Sequence, residues 1–422
     1  MHISRIQYDK IKKYMHDNKI IILKGARQTG KTTIMNKLLK ELESEEKKCF
    51  FFFADDLFHE NIFKNTKVFI DHLILKYKWN KTEKIYLFID EFQYIKNAGV
   101  FLKNLYDQYH DHIKIIVSGS SSLEITKNTE FLTGRFWELN IPRINFFEFF
   151  NAEKQNIPHL SLEDTDNIQT YYDTFQTDLE SSFSLFLQYG GYPELLSLPS
   201  EELKKEALHH IISNYIEKDI IFLLRVGNIQ LFRKLIFILC YNPGQTINIK
   251  ELSNTLAASQ DTIKKYLNIL EGTYIAKRIF PFSNNARKSI SRMQKAYILD
   301  SGIINLFKNT LSLPQEGNNL GPLVENAVCL DLLTRTKELY YYRTLAGAEV
   351  DFILPNQSGT YDLIEVKYRN KTKNTHSAFQ SFIRENPTHQ IRYKILITKN
   401  ELQLSGDILK IPACLFPFIN MK

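Results

Sequence analysis

The run Gly25-Ala26-Arg27-Gln28-Thr29-Gly30-Lys31-Thr32-Thr33 lies between the apolar stretch Ile20 to Leu23 and a helical pattern, Ile34 to Leu42. It fits G-x-x-x-x-G-K-[ST] in the strand-to-helix setting that this pattern requires. Glycines at 25 and 30 let the backbone curl until successive N–H groups face one anion, and the helix N-terminus adds its positive end. The spacing therefore predicts a nucleotide cradle of Gly25, Ala26, Arg27, Gln28, Thr29, Gly30, Lys31, Thr32 and Thr33. Lys31 reaches the β and γ phosphates of ATP, and the Thr32 hydroxyl sits on Mg2+.

That loop demands a sheet to launch from. Apolar runs at Ile20 to Leu23, Phe50 to Phe53, Ile85 to Ile89 and Ile113 to Val117 alternate with helical patterns, the rhythm of a parallel sheet wrapped in helices. The third run ends in Asp90-Glu91, at the carboxyl edge where open α/β sheets bind ligands. Asp90 is expected to hold Mg2+ through its water shell, and Glu91 to orient and deprotonate the attacking water. An acidic pair after a strand also caps helices, but beside the glycine-rich loop the catalytic reading prevails. The fourth run ends in Ser118-Gly119-Ser120, which offers Ser118 as a sensor of the γ-phosphate; Ser120 and Ser121 read equally well as helix caps. Arg135 could supply transition-state charge, within the subunit or from a neighbour in a homo-oligomer, or form a surface salt bridge instead.

Length and composition set the frame around this site. At 422 residues the chain has room for about three domains. With 44% hydrophobic and 24% charged residues, it is neither disordered nor fibrous. The longest apolar stretches, such as Ile220 to Leu224 and Leu235 to Cys240, fall far short of the roughly 20 residues that span a bilayer, so no membrane partner is expected. The N-terminus lacks the apolar core of a secretory signal, which predicts a cytoplasmic protein. The 4 cysteines are scattered without a C-x-x-C pair, as buried thiols would be. A net charge of +7 permits a polyanionic partner.

The fold class is read as α/β: a P-loop parallel-sheet ATPase domain over 1–150, a connector and helical lid over 151–240, a winged helix-turn-helix over 241–310, and a C-terminal α/β domain over 311–422. The connector reading rests on Asn151 to Ser182, which is acidic apart from Lys154 and lacks a sustained apolar period. Within 241–310, Ile249 to Leu256 and Gln260 to Glu271 form two helical patterns around a short turn. The second presents Gln260, Thr262, Lys264, Lys265 and Asn268 away from its apolar face, side chains suited to phosphates and base edges of DNA. Lys277 to Lys295 then holds 6 basic and no acidic residues, among them Lys277, Arg278, Arg287, Lys288 and Arg292, a basic wing favouring DNA. Winged helices joined to ATPases also serve as lids or partner docks.

GARQTGKTT, LFIDEFQ, VSGSSS, LTGRFWELNIPRINFFEF and GGYPE together resemble the bacterial and archaeal AAA-superfamily ATPases that end in a restriction-endonuclease-like domain of unknown function. The resemblance spans nearly the whole chain and implies ATP and Mg2+ as cofactors. The C-terminal constellation of Glu325, Asp351, Glu365 and Lys367, with Gln380 on the next helix, resembles a PD-(D/E)XK nuclease site, with Glu349-Val350 where a Pro-Asp pair would stand. That likeness implies Mg2+ held by Glu325, Asp351 and Glu365, and a water beside Lys367 poised to cut a phosphodiester. The same fold retained only for binding DNA or protein is the alternative, since E-x-K also occurs at Glu45, Glu46 and Glu202 in helical stretches without such a site.

Overall fold

The computed structural model describes residues 3–421 apart from 57–60, 121–131, 155–156, 217–219, 221–225, 284–292, 312–319, 345, 357 and 373–376. Its contacts divide into two units, one of residues 4–143 with 272–274, the other of residues 1–3, 144–271 and 275–422.

In the first unit, β1 (Ile20–Lys24), β2 (Lys48–Phe53), β3 (Ile85–Asp90), β4 (Ile113–Gly119) and β5 (Phe136–Asn140) form one sheet in the order β2-β3-β4-β1-β5. Every pairing is parallel, as in Ile22 beside Val117 and Phe52 beside Ile89. All four expected strands form. β1 and β4 are buried along their whole length, which is why they read as continuous apolar runs rather than alternating ones. The helices Thr66–Tyr77 and Ala98–Tyr109 pack on one face through Phe69, Leu73, Phe101 and Leu105. Helix Lys31–Ser44 lies against the other through Ile34, Met35 and Leu38.

The second unit holds an eight-stranded sheet. Its strands are β7 (Thr246–Ile247), β8 (Ala276–Pro281), β9 (Gln294–Ile298), β10 (Tyr340–Arg343), β11 (Glu349–Pro355), β12 (Tyr361–Val366), β13 (Ile391–Thr398) and β14 (Leu409–Pro412). The expected boundary near residue 311 is therefore bridged by hydrogen bonds, because β10 pairs with β8, Tyr340 beside Phe280. Helices Ile249–Thr255 and Gln260–Gly272 precede the antiparallel β8–β9 ribbon, with β7 on its far edge.

The expected connector differs more. Residues 165–189 form one helix of 25 residues, started by the Asp164 side chain accepting from the Asn167 amide. Its apolar stripe of Ile168, Tyr172, Leu179, Phe183 and Phe186 joins the core that also holds Phe146, Phe150, Leu332 and Phe418. The glycines of GGYPE are explained by the packing. A Cβ on Gly190, whose φ is +79°, would lie 2.1 Å from the Asp300 carboxylate, and one on Gly191 would lie 2.1 Å from the Ile144 carbonyl. Asp300 accepts from the Gly191 amide at 2.8 Å and caps the helix Ser301–Lys308. No helix among the described residues is long and apolar enough to cross a membrane.

Candidate functional site

The loop between β1 and helix Lys31–Ser44 takes the tight curl its glycines predict. Gly30 has φ +90° and Gln28 φ +58°. A Cβ on Gly25 would come within 2.2 Å of the Ile141 carbonyl, at the end of the strand beside β1. The ammonium of Lys31 is held inside the curl, donating to the carbonyls of Gly25 at 3.0 Å and Ala26 at 2.8 Å. Thr29 is buried and its hydroxyl donates to the Ala26 carbonyl, which fixes the bend. Arg27 reaches the Tyr94 hydroxyl at 3.1 Å, and Thr33 lies in the first turn of the helix.

The carboxyl edge brings the remaining groups to this loop. Thr32 donates its hydroxyl to Asp90 at 2.6 Å, although β4 stands between their strands in the sheet. Thr32 and Asp90 thus share one point, and as an oxygen-rich pair beside a phosphate cradle they fit a magnesium ion. Ser118, fully buried, donates to the other Asp90 oxygen, so it holds Asp90 rather than standing open to a phosphate. Glu91 follows with φ +54°, a conformation that costs a non-glycine residue energy and that clusters at functional sites. Its amide points back to Asp90 at 3.1 Å, and its carboxylate accepts from Gln93. Gln93 also reaches Ser120 at 3.2 Å, tying Glu91 to the end of β4. Ser121 lies outside the described residues.

Two contributors escape a reading by motif. Arg5, buried ahead of the first strand, donates to the carbonyl of Thr29 at 2.5 Å and that of Pro142 at 2.6 Å, bracing the loop from behind. Gln93 stands two residues beyond Glu91, a spacing that places its side chain within reach of that carboxylate.

Arg135 takes the surface salt bridge that the sequence left open. It precedes β5 at the amino edge of the sheet, its carbonyl accepting from the Ile20 amide, whereas the phosphate loop begins after Lys24 at the opposite edge. Four residues of strand, roughly 13 Å, separate them. Its guanidinium forks onto Asp107, at 2.6 and 3.3 Å.

In the second unit the C-terminal side chains gather differently from the expectation. Glu325 projects from helix Gly321–Arg335, and Glu349 and Asp351 from β11. Between them lies the ammonium of Lys295, 3.1 Å from Glu325 and 3.5 Å from Asp351 and also ion-paired with Glu349. Tyr297 donates to the same Glu325 oxygen at 2.7 Å, and the Val366 amide to the other Asp351 oxygen at 2.8 Å. Glu365 instead pairs with Lys367 at 2.7 Å, and Gln380 is exposed on its helix. Among the described residues no group of three or more His, Cys, Asp or Glu is disposed to hold a metal. This arrangement does not fit the divalent ion that Glu325, Asp351 and Glu365 were expected to share.

Burial and the nearby Glu325 charge push the Asp351 carboxyl up to about 7 against the pull of Lys295. For Lys295, burial works against the charge, but Glu325, Asp351 and Glu349 outweigh it and the ammonium titrates above its ordinary value. Lys295 is therefore unavailable to a DNA phosphate. Of the other basic residues in that stretch, Arg278 is engaged by Glu271 and Asn268, Lys277 is half-exposed, and Arg287, Lys288 and Arg292 lie outside the described residues.

Residues 17–150 match the model of an AAA domain. With the parallel sheet and the loop above, they define an AAA-type P-loop ATPase domain. Residues 180–313 and 320–414 match two domains of unknown function, DUF8612 and DUF4143. An uncharacterized protein of Haemophilus influenzae is 24% identical over 83% of this chain and 83% of its own. One from Methanocaldococcus jannaschii is 26% identical over 91% and 83%. Among solved structures, AMPPCP-bound DnaA from Aquifex aeolicus aligns with 64% of this chain and 89% of its own at 13% identity and TM-score 0.29. The structure of C. elegans PCH-2 aligns with 35% and 42% at 18% identity and TM-score 0.25, so the chain spans under half of that protein.

Proposed function

We propose that this chain is a Mg2+-dependent ATP hydrolase whose second unit binds DNA. The observation that carries the first half is the meeting of Thr32 and Asp90 at 2.6 Å beside the Lys31 loop, with Glu91 next in sequence. Lys31 and the loop amides bind the β and γ phosphates, while Thr32 and Asp90 would hold Mg2+. That ion, when bound, would neutralise the charge that develops on the phosphates. Glu91 takes a proton from the attacking water, Gln93 fixes the direction of that carboxylate, and Ser118 keeps Asp90 in place. Arg135 acts, if on any nucleotide, on that of a neighbouring copy in a homo-oligomer.

Support for DNA comes from the helix Gln260–Gly272. It buries Ile263, Tyr266, Leu267 and Leu270 and leaves Gln260, Lys264, Lys265 and Asn268 exposed, ahead of the β8–β9 ribbon, as a winged helix-turn-helix would. In a fluorescence-anisotropy titration with duplex DNA, the double variant Lys264→Ala/Lys265→Ala is expected to bind about tenfold more weakly and with a salt slope lower by about 2. Unchanged affinity and slope would remove this helix from the interface.

A further inference from the structure

We propose that Lys295 stands where the C-terminal carboxylates would otherwise take a divalent cation, so that the site is neutralised by a tethered ammonium instead of a metal. The inference goes beyond the nucleotide site and does not depend on it.

Four observations converge. First, the Lys295 side chain is only 3% exposed, and its ammonium contacts Glu325, Glu349 and Asp351, which come from a helix and a strand distant in sequence. A lysine is almost never buried to this degree without charges that hold it. Second, one oxygen of Glu325 and both oxygens of Asp351, which a metal would need, are already engaged. One Glu325 oxygen accepts from both Lys295 and Tyr297, and Asp351 divides its oxygens between Lys295 and the Val366 amide. A magnesium ion requires oxygens at about 2.0–2.1 Å in near-octahedral order, and cannot share the point with an ammonium at ordinary hydrogen-bond distance from the same atoms.

Third, the wall is closed against a larger cluster. Gly244 has φ +79°, and a Cβ there would lie 2.9 Å from a Glu325 oxygen, while the Tyr297 ring is fully buried on the same side. Fourth, the lysine that a nuclease reading would assign to the reacting water, Lys367, pairs with Glu365 at 2.7 Å. Among the described residues, the cation that contacts Glu325, Glu349 and Asp351 alike thus comes from β9, the strand that also carries Tyr297, while Arg343 reaches Glu349 alone. Lys295 joins β9 to β11 and to the helix Gly321–Arg335, and the domain retains a nuclease-like carboxylate group as a structural lock.

The test is an Mn2+ titration of the full-length, nucleotide-free protein, with free Mn2+ read by its electron paramagnetic resonance signal. Wild type and Asp351→Asn should bind Mn2+ equally weakly. Lys295→Gln keeps a donor but removes the charge, and should gain affinity about tenfold or more, a gain lost again in Lys295→Gln/Asp351→Asn. Because bound metal stabilises only the folded form, Mn2+ should raise the melting temperature of Lys295→Gln and not that of wild type. Wild-type binding that Asp351→Asn weakens tenfold would overturn the proposal, as would a folded Lys295→Gln with no gain. Should Lys295→Gln fail to fold, the comparison of wild type with Asp351→Asn decides alone.

Discussion

Single residues carry the account where they have no substitute. Gly25 is one: the Ile141 carbonyl occupies the volume that any side chain would need. Gly25→Ala must push β5 away from the loop, and overpacking of this kind costs about 1–3 kcal/mol. The expected result is a lower denaturation midpoint together with nucleotide binding weakened by about tenfold or more, since Gly25 itself belongs to the cradle; a calorimetric titration with ATP checks it. Asp351 makes a prediction of opposite character. Its folded-state carboxyl holds a proton up to about 7, whereas the unfolded chain releases it near the ordinary carboxylate value. The folded state therefore binds more protons across that window, and the stability contributed by this group is full in acid and lost as pH rises through about 7. Melting curves between pH 4 and pH 8 should show wild type losing more stability over that range than Asp351→Asn, and parallel curves would count against the shifted carboxyl.

At the scale of elements, three of the four strands expected in the first unit are buried on both faces, and β2 is not. β1, β3 and β4 are continuous apolar runs, and the carboxyl ends of all three carry the site. β5 is partly exposed throughout, so Phe136–Asn140 gives neither a continuous run nor a clean alternation. The helix Thr165–Tyr189 was hidden by its own amphipathicity. Its first half turns Asp166 and Asp173 to solvent and builds its buried stripe partly from tyrosines, Tyr171 and Tyr172, and the dense apolar part, Phe183 to Leu187, comes only after the acidic stretch ends. What completes that helix comes from the far end of the chain. Phe418, fully buried, meets the rings of Phe146, Phe147, Phe150 and Tyr171 at centroid distances of 5.3–6.0 Å. β15 (Ile419–Asn420) pairs beside it with β6 (Leu160–Ser161). No local pattern predicts a contact across more than 200 residues. Phe418→Ala should cost about 3–5 kcal/mol, read as a shift in the urea midpoint, and a loss below about 1 kcal/mol would mean the ring cluster can close over the gap.

For the whole molecule, motif and distribution of charge tell different parts. The phosphate loop, Asp90 and Glu91 were legible because the chemistry fixes both residue type and spacing. Of the C-terminal carboxylates expected together, Glu325 and Asp351 meet but Glu365 pairs with Lys367 and Glu349 takes its place, because Lys295 counts in sequence as one basic residue among 6 in a run and in the structure as their counter-ion. The account as a whole rests on ATP hydrolysis at the first site. Its most direct measurement is phosphate release from ATP with Mg2+, alongside ATP affinity, for wild type, Lys31→Ala and Glu91→Gln. The account predicts turnover in wild type, no ATP binding in Lys31→Ala, and in Glu91→Gln near-normal affinity with hydrolysis reduced on the order of 100-fold or more, as expected when a general base is lost. Turnover in Glu91→Gln equal to that of wild type would contradict it, since the water would then be activated by some other group.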